Sequence, residues 1–531
     1  MTADARQDPS DVSPETAPPL GPRAEPGGTL ARLAVCVLAT ALVGLLAVQV
    51  WRSLDWPLVQ DPPLMHYLGW RMTEGDVPYR DFYDMNFPGT LLLHWGIVKY
   101  LGPGDAAWRG FNLAWLALTM LAAGAYLRRL GWVVALGGAL LIAVLHLEAG
   151  PLHAGQRDFL MIALLLASAH FVARYCERGC QGLAPLAVAG LVAGACATIK
   201  PMAVLFWAGL GLFAAFAARR QRRGFWTPLL TVAGAGMVPV AAAVVWLAAI
   251  GALPAFCDIL FNYLLPLYGR EGRLTLTDLA DRSVSVRIFL VLLALSVVPY
   301  VRMLAARRMD ARRGLLLLGL GYGLVHYVLQ GKGWIYHQAP QTAFACLLAV
   351  SAWRQDGQNP PAARRWQLSA AMAVVLLTGA FGLRTYSDYP VRLQREKVAQ
   401  LMQDISPRLR AGQTVQVLDT TQGGLDALLR LKVRQPTIFI YDFHFYLQPN
   451  QPYIQRLRQR FLEQLTANPP QIIVLFKETW PLRVYERVKR FPALAEYLDT
   501  QYEVAVERDD YRLMVRRTGP AEAGGGPQGR E

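Results

Sequence analysis

The sequence predicts a mainly α-helical, polytopic transmembrane bundle of about eleven spans, followed by a small α/β domain. Three observations carry that expectation. Of the 531 residues, 54% are apolar, a composition typical of membrane proteins. Apolar runs close to the ~20 residues that a bilayer-crossing helix needs recur between residues 33 and 384. Beyond residue 385 the pattern becomes short β-branched runs alternating with amphipathic stretches.

Residues 1–29 are rich in proline and poor in apolar groups, and are expected to be a disordered cytoplasmic tail. The domain 30–385 then opens on an uncleaved span at 33–51. Further spans are expected at 107–127, 131–149, 159–175, 183–199, 202–218, 227–250, 286–304, 314–330, 338–353 and 366–384. The formal charge of +15 raises the question of a nucleic-acid partner. Its arginines answer it, because Arg128-Arg129, Arg219-Arg220, Arg222-Arg223, Arg307-Arg308, Arg312-Arg313 and Arg364-Arg365 all fall between apolar runs. With a cytoplasmic N-terminus every one of these clusters lies on the cytoplasmic side of a plasma (inner) membrane, as the positive-inside rule requires. Membrane lipids, and no nucleic acid, are the implied surroundings. The six cysteines lie mostly in or beside apolar runs and outline neither a disulfide framework nor a zinc site.

The same topology gathers the remaining polar segments on the extracytoplasmic face: 52–106, 148–158, the turn at Lys200-Pro201, 251–285 and 331–340. The first outer loop, 52–106, holds seven acids against four bases. Within it, 88–101 is apolar for half a span and reads as a helix lying in the interface. An extracytoplasmic α/β domain follows at 386–517, with strands at 413–419, 436–441 and 471–476, a helix carrying Ile454, Leu457, Phe461 and Leu465, and a hairpin from 502–507 and 511–516. The tail 518–531 is Gly-rich and is expected to be disordered.

Four outer segments carry residues suited to chemistry. In the acidic loop, Asp61, Asp81 and Asp84 are candidate bases for an acceptor hydroxyl, with Arg80 and Asn86 beside them. Asp61 is preferred, as the first acid after the membrane-proximal turn, stiffened by Pro62-Pro63; Asp81 and Asp84 equally suit pairing with Arg80 and Arg71. The second segment is Gln156-Arg157-Asp158, where a guanidinium fork suits a phosphate, although charges at a span's end also sit simply among headgroups. The third is Lys200, costly at membrane depth unless it snorkels to the interface. The fourth is Lys332, Tyr336 and His337 in QGKGWIYHQAP, where glycines permit close backbone approach. A phosphate-bearing donor needs such cations for its leaving group. Neither a Walker A loop nor a Rossmann fingerprint is present.

The order GDVPYRDFYDMNFPGT, RD before a span, Lys-Pro between spans and KGWIYHQAP resembles the GT-C superfamily over about residues 30–385. Within it the sequence is most similar to bacterial protein O-mannosyltransferase-like and RgtA/B/C/D-like proteins. The resemblance implies an inverting glycosyltransferase that moves a sugar from a polyprenyl-phosphate-type lipid donor to a cell-envelope acceptor. It implies an acidic base best matched by Asp61, a charged pair near the donor phosphate matched by Arg157-Asp158, and a turn lysine matched by Lys200. With the outer-segment residues added, donor-phosphate contacts are expected at Arg157, Lys200, Lys332 and His337, and substrate contacts at Arg80, Asn86, Gln156, Asp158 and Tyr336. Some members use a divalent metal, Mg or Mn, and others none. Asp61 is followed by Pro62 in place of the acidic pair typical of the O-mannosyltransferases. The competing class is a lipid or sugar transporter (a flippase) without covalent chemistry.

Overall fold

The computed structural model describes residues 26–281, 284–352, 365–366, 368–373, 375–376, 380, 389–419, 421–477 and 485–517. Helix α1 (Pro26–Ser53) begins inside the expected N-terminal tail. The remainder of that tail and 518–531 lie outside the described residues. Helices α4 (Asp105–Leu127), α5 (Trp132–Glu148), α6 (Arg157–Glu177), α7 (Ala184–Ile199), α8 (Ala203–Arg220), α9 (Trp226–Ala249), α12 (Val284–Ala305), α13 (Ala311–Gln330) and α14 (Ala339–Ser351) coincide with the next nine expected spans. Helices over α1, α4, α6, α8 and α9 are long and apolar enough to cross a membrane, and the protein is a multi-pass membrane protein. The eleventh expected span, 366–384, falls largely outside the described residues.

Close packing inside the bundle rests on small residues, as it does where lipid supplies no hydrophobic drive between helices. Helix α7 lies against α9 so tightly that a Cβ on Gly194 would sit 2.0 Å from the Gly236 carbonyl oxygen.

The first outer segment is more ordered than its proline content suggests. Its residues 61–73 form a helix, α2 (Asp61–Thr73), which the sequence reading treated as loop. Pro62 and Pro63 fall in the first turn, where a backbone N–H has no intrahelical acceptor and a fixed φ favours the helix. Every residue from Pro62 to Arg71 is buried, because α2 is held between α3 (Pro88–Tyr100) and the C-terminal domain. Helix α3 matches the half-span helix expected at 88–101. Its first turn packs on the end of α7: a Cβ on Gly89 would lie 2.4 Å from the Thr198 hydroxyl, and the Thr90 hydroxyl donates to the Ile199 carbonyl at 3.0 Å. The NFPGT motif therefore fixes the acidic segment against the turn that carries Lys200. Residues 81–84 are not helical, so Asp81 and Asp84 do not share a helix face. In the segment 251–285, α10 (Leu253–Asp258) runs into a π-helical stretch, Ile259–Tyr268, and α11 (Leu276–Asp281) follows.

The C-terminal domain is a four-stranded sheet in the order β1-β2-β4-β3, from β1 (Val415–Leu418), β2 (Ile472–Phe476), β3 (Tyr502–Glu507) and β4 (Tyr511–Arg516). Strands β1 and β2 are parallel, with Val415 opposite Ile472, and the expected hairpin of β3 and β4 closes the other edge. The expected helix runs from Pro452 to Ala467 and buries Ile454, Leu457, Phe461 and Leu465. The strand expected at 436–441 does not form. Its only pairing among the described residues is a bridge between Phe439 and Tyr83. Glutamines take up its backbone instead: Gln464 accepts from Ile438 N at 3.0 Å, and Gln416 and Gln435 donate to the Phe439 and Ile440 carbonyls. Freed from a ladder, this run turns toward the acidic segment, and the Ile438 carbonyl accepts from Tyr83 N at 2.7 Å.

Candidate active site

At the end of the bundle capped by the C-terminal domain, five residues from four separate segments form one polar chain. Arg157 is the first residue of α6, and its Nη2 donates to Asp61 Oδ2 at 3.0 Å while Nη1 donates to Asn86 Oδ1. Asn86 in turn donates to Asp84 from its side chain at 2.9 Å and from its backbone N–H at 3.0 Å. Tyr441, from the run that failed to become a strand, donates to the same carboxylate at 2.8 Å. The order Asp61, Arg157, Asn86, Asp84, Tyr441 thus links α2, α6, the acidic segment and the C-terminal domain.

Two valences in this chain remain open. Among the described residues, Asp61 Oδ1 accepts no hydrogen bond, and the buried Arg157 Nε has no partner. Asp61 and Arg157 are each about a fifth exposed, so both can be reached by a ligand.

A second group lies directly behind. Asp158, fully buried, accepts from Lys200 Nζ at 2.7 and 2.5 Å and from His326 Nε2 at 2.6 Å. Lys200 therefore does not snorkel; it closes a buried ion pair between α6 and the α7–α8 turn. His337 lies within electrostatic range of Lys200, Asp158 and Arg157, and Tyr336 within range of Asp61 and Arg157. The His337 Nδ1 is buried and unpartnered. Gln156 precedes α6, its amide turned to the Leu152 carbonyl at 3.5 Å and its Oε1 buried without a partner.

Among the described residues the other expected acids and cations make no hydrogen bond to Asp61 or Arg157. Arg80 and Asp81 grip each other at 2.9 Å near the surface, and this hydrogen bond holds the Asp81 carboxyl below the usual carboxylate range. Lys332 donates to the Tyr268 carbonyl at 3.1 Å and to the Glu271 carbonyl, with its charge over the Tyr268 ring. Asp84 is raised above the usual range because burial outweighs the hydrogen bonds from Tyr441 and Asn86. Among the described residues no group of three or more His, Cys, Asp or Glu is placed to hold a metal ion. The carboxylates of Asp61 and Asp84 are linked through Arg157 and Asn86.

His326 and Tyr441 did not emerge from the sequence as site residues. A histidine inside the apolar run 314–330 was the available signal for His326; Tyr441 had none, since only the tertiary contact brings it to Asp84. Replacing Tyr441 by Phe removes a hydrogen bond to a buried carboxylate, at a cost of about 1.5–3 kcal/mol. With less to offset its burial, Asp84 is expected to rise further and the acid limb of the activity profile to move to higher pH. An unchanged pH profile in Tyr441→Phe would show that this contact does not tune the site.

An apolar cleft of roughly 130 Å³ adjoins this group, lined by Ile142, Leu145, Phe159, Ile162 and Tyr336 among others.

No family model matches this sequence, and a search of curated proteins finds no match. Solved structures do match. ArnT from Cupriavidus metallidurans bound to undecaprenyl phosphate is 14% identical and aligns with a TM-score of 0.57 over 92% of this chain and 98% of that one. The same protein in the apo state gives 14%, 0.54, 89% and 96%. The oligosaccharyltransferase of Archaeoglobus fulgidus in the apo form gives 13% identity and a TM-score of 0.49 over 84% of this chain and 70% of that one. At the identity to ArnT the likeness is one of fold alone.

Proposed function

We propose, with the ArnT-like fold as premise, that this chain is an integral-membrane glycosyltransferase of the plasma membrane. It moves a sugar from a polyprenyl-phosphate-type donor to a cell-envelope acceptor on the extracytoplasmic face, with the N-terminus cytoplasmic. The observation that carries the reading is the pairing of Asp61 with Arg157, two side chains each about a fifth exposed, with Asp61 Oδ1 left free to accept from a ligand. A hydroxyl donating to Asp61 Oδ1 loses its proton as its oxygen attacks the anomeric carbon. The bond to the phosphate oxygen breaks in the same displacement, which inverts the configuration. Arg157, with His337 behind it, receives the charge that develops on the phosphate, while Lys200 holds Asp158 beside them. That one ArnT structure holds undecaprenyl phosphate supports a lipid-phosphate donor, and the apolar cleft beside Tyr336 suits its prenyl chain.

The test is purified protein with a radiolabelled lipid-linked sugar and a membrane extract as acceptor source. Labelled product bonded to acceptor supports the proposal; label moved across proteoliposomes without covalent product would replace it with transport.

Lys332 adds a pH signature. Burial lowers its ammonium to about 8, so it loses its charge as pH rises from 7 to 9. The donor KM is expected to rise over that interval in the wild type and to stay flat in Lys332→Arg, which remains charged. Identical profiles would take Lys332 out of donor binding.

A further inference from the structure

The opposite end of the bundle carries a polar cleft that the transfer chemistry does not use. It measures roughly 450 Å³ and is lined by Arg129, Arg174, Glu177, Arg178, Asp310 and Arg312. Helix α6 runs the whole way from Arg157 to this cleft, and its 21 residues at about 1.5 Å each separate the two sites by about the thickness of a bilayer core.

Both acids of the cleft are already engaged. Glu177 takes Arg312 on its two oxygens at 2.5 and 3.1 Å. Asp310 caps α13 through Arg313 N at 2.8 Å and also accepts from Arg313 Nη1 at 3.0 Å. Arg129, Arg174 and Arg178 are left with no ion pair among the described residues. Arg174 and Arg178 stand one helical turn apart, where like charges repel. The cleft therefore has an unbalanced positive charge delivered by guanidinium forks, the donor geometry that matches phosphate oxygens.

Its level in the membrane selects the source of that phosphate. Trp132, at the start of α5, is 71% exposed beside the cleft's Arg128–Leu130 turn, with the Arg128 guanidinium 4.8 Å from its ring centroid. Amphipathic aromatics exposed in this way sit at the headgroup level of a bilayer. Basic recesses between helices at that level bind anionic headgroups.

We infer that this cleft is a binding site for the phosphate headgroup of an anionic phospholipid, held by Arg129, Arg174 and Arg178. It is independent of the proposed transfer chemistry.

The experiment uses the full chain in detergent, titrated with phosphatidylglycerol or phosphatidylcholine while thermal unfolding and native mass spectra are recorded. Phosphatidylglycerol is expected to raise the melting temperature and to survive as a bound adduct; phosphatidylcholine is not. In Arg174→Gln/Arg178→Gln the apparent affinity for phosphatidylglycerol should fall about tenfold or more. The control is Arg219→Gln/Arg220→Gln, which removes two arginines at the same end outside the cleft and should keep wild-type affinity. Equal losses in both double variants would mean generic surface charge and would overturn the assignment. So would an equal effect of inorganic phosphate at matched concentration, which would make this a free-anion site. Because both arginines are exposed, the variant should melt like the wild type without lipid, and Arg129→Gln gives an independent second reading.

Discussion

Transfer by Asp61→Asn is expected to fall by about 10²–10⁴-fold, the range that a positioned general base contributes. The amide cannot take up the acceptor's proton, yet it is close to the same size and can still accept from Arg157 Nη2, now at 3.0 Å. Donor binding should therefore change little, so the loss should fall on kcat. The neighbouring acids supply the contrast. Asp81 is tied to Arg80 and to Val77 N at 2.8 Å, away from the Arg157 chain, and Asp81→Asn should stay within about twofold of wild type, as surface substitutions usually do. Full turnover in Asp61→Asn, or a loss in Asp81→Asn as large, would move the base to another residue.

The largest loss of stability is expected from Asp158→Asn. That change leaves the Lys200 ammonium buried without its counter-charge, and breaking a buried pair from one side costs about 3–5 kcal/mol. The carboxylate is fully buried and holds two cationic or polar partners from other segments, so no solvent is at hand to replace it. Removing both ends together, in Asp158→Asn/Lys200→Met, should recover most of the melting temperature, since the cost lies in the orphaned charge. A single variant that melts like the wild type would show that the pair does not hold α6 to the α7–α8 turn. Recovered stability without recovered activity in the double variant would assign the pair to the transfer step as well.

The bundle was legible because span length, hydropathy and arginine placement all answer to the bilayer, and each of these is local in sequence. The α/β domain was legible in its four strands for the same reason. Sequence reading failed where side chains replaced local rules. Residues 436–441 have the β-branched and aromatic content of a strand, but Gln416, Gln435 and Gln464 satisfy their backbone. The double proline at 62–63 reads as a breaker in isolation and as a helix start once Asp61 is seen at the first turn. The site divides likewise. Asp61, Asn86, Arg157, Asp158, Lys200, Tyr336 and His337 were named from sequence and lie together, whereas that Lys200 spends its charge on Asp158 follows only from packing.

The hydrogen bond from Tyr441 to Asp84 spans 357 residues of chain. During synthesis the helices that carry Arg157, Lys200 and His337 enter the membrane long before Tyr441 has left the ribosome. The polar chain that begins at Asp61 therefore lacks its last link until the final quarter of the polypeptide has been made and folded. A half-made copy in the membrane therefore holds Asp84 without the hydrogen bond that offsets its burial.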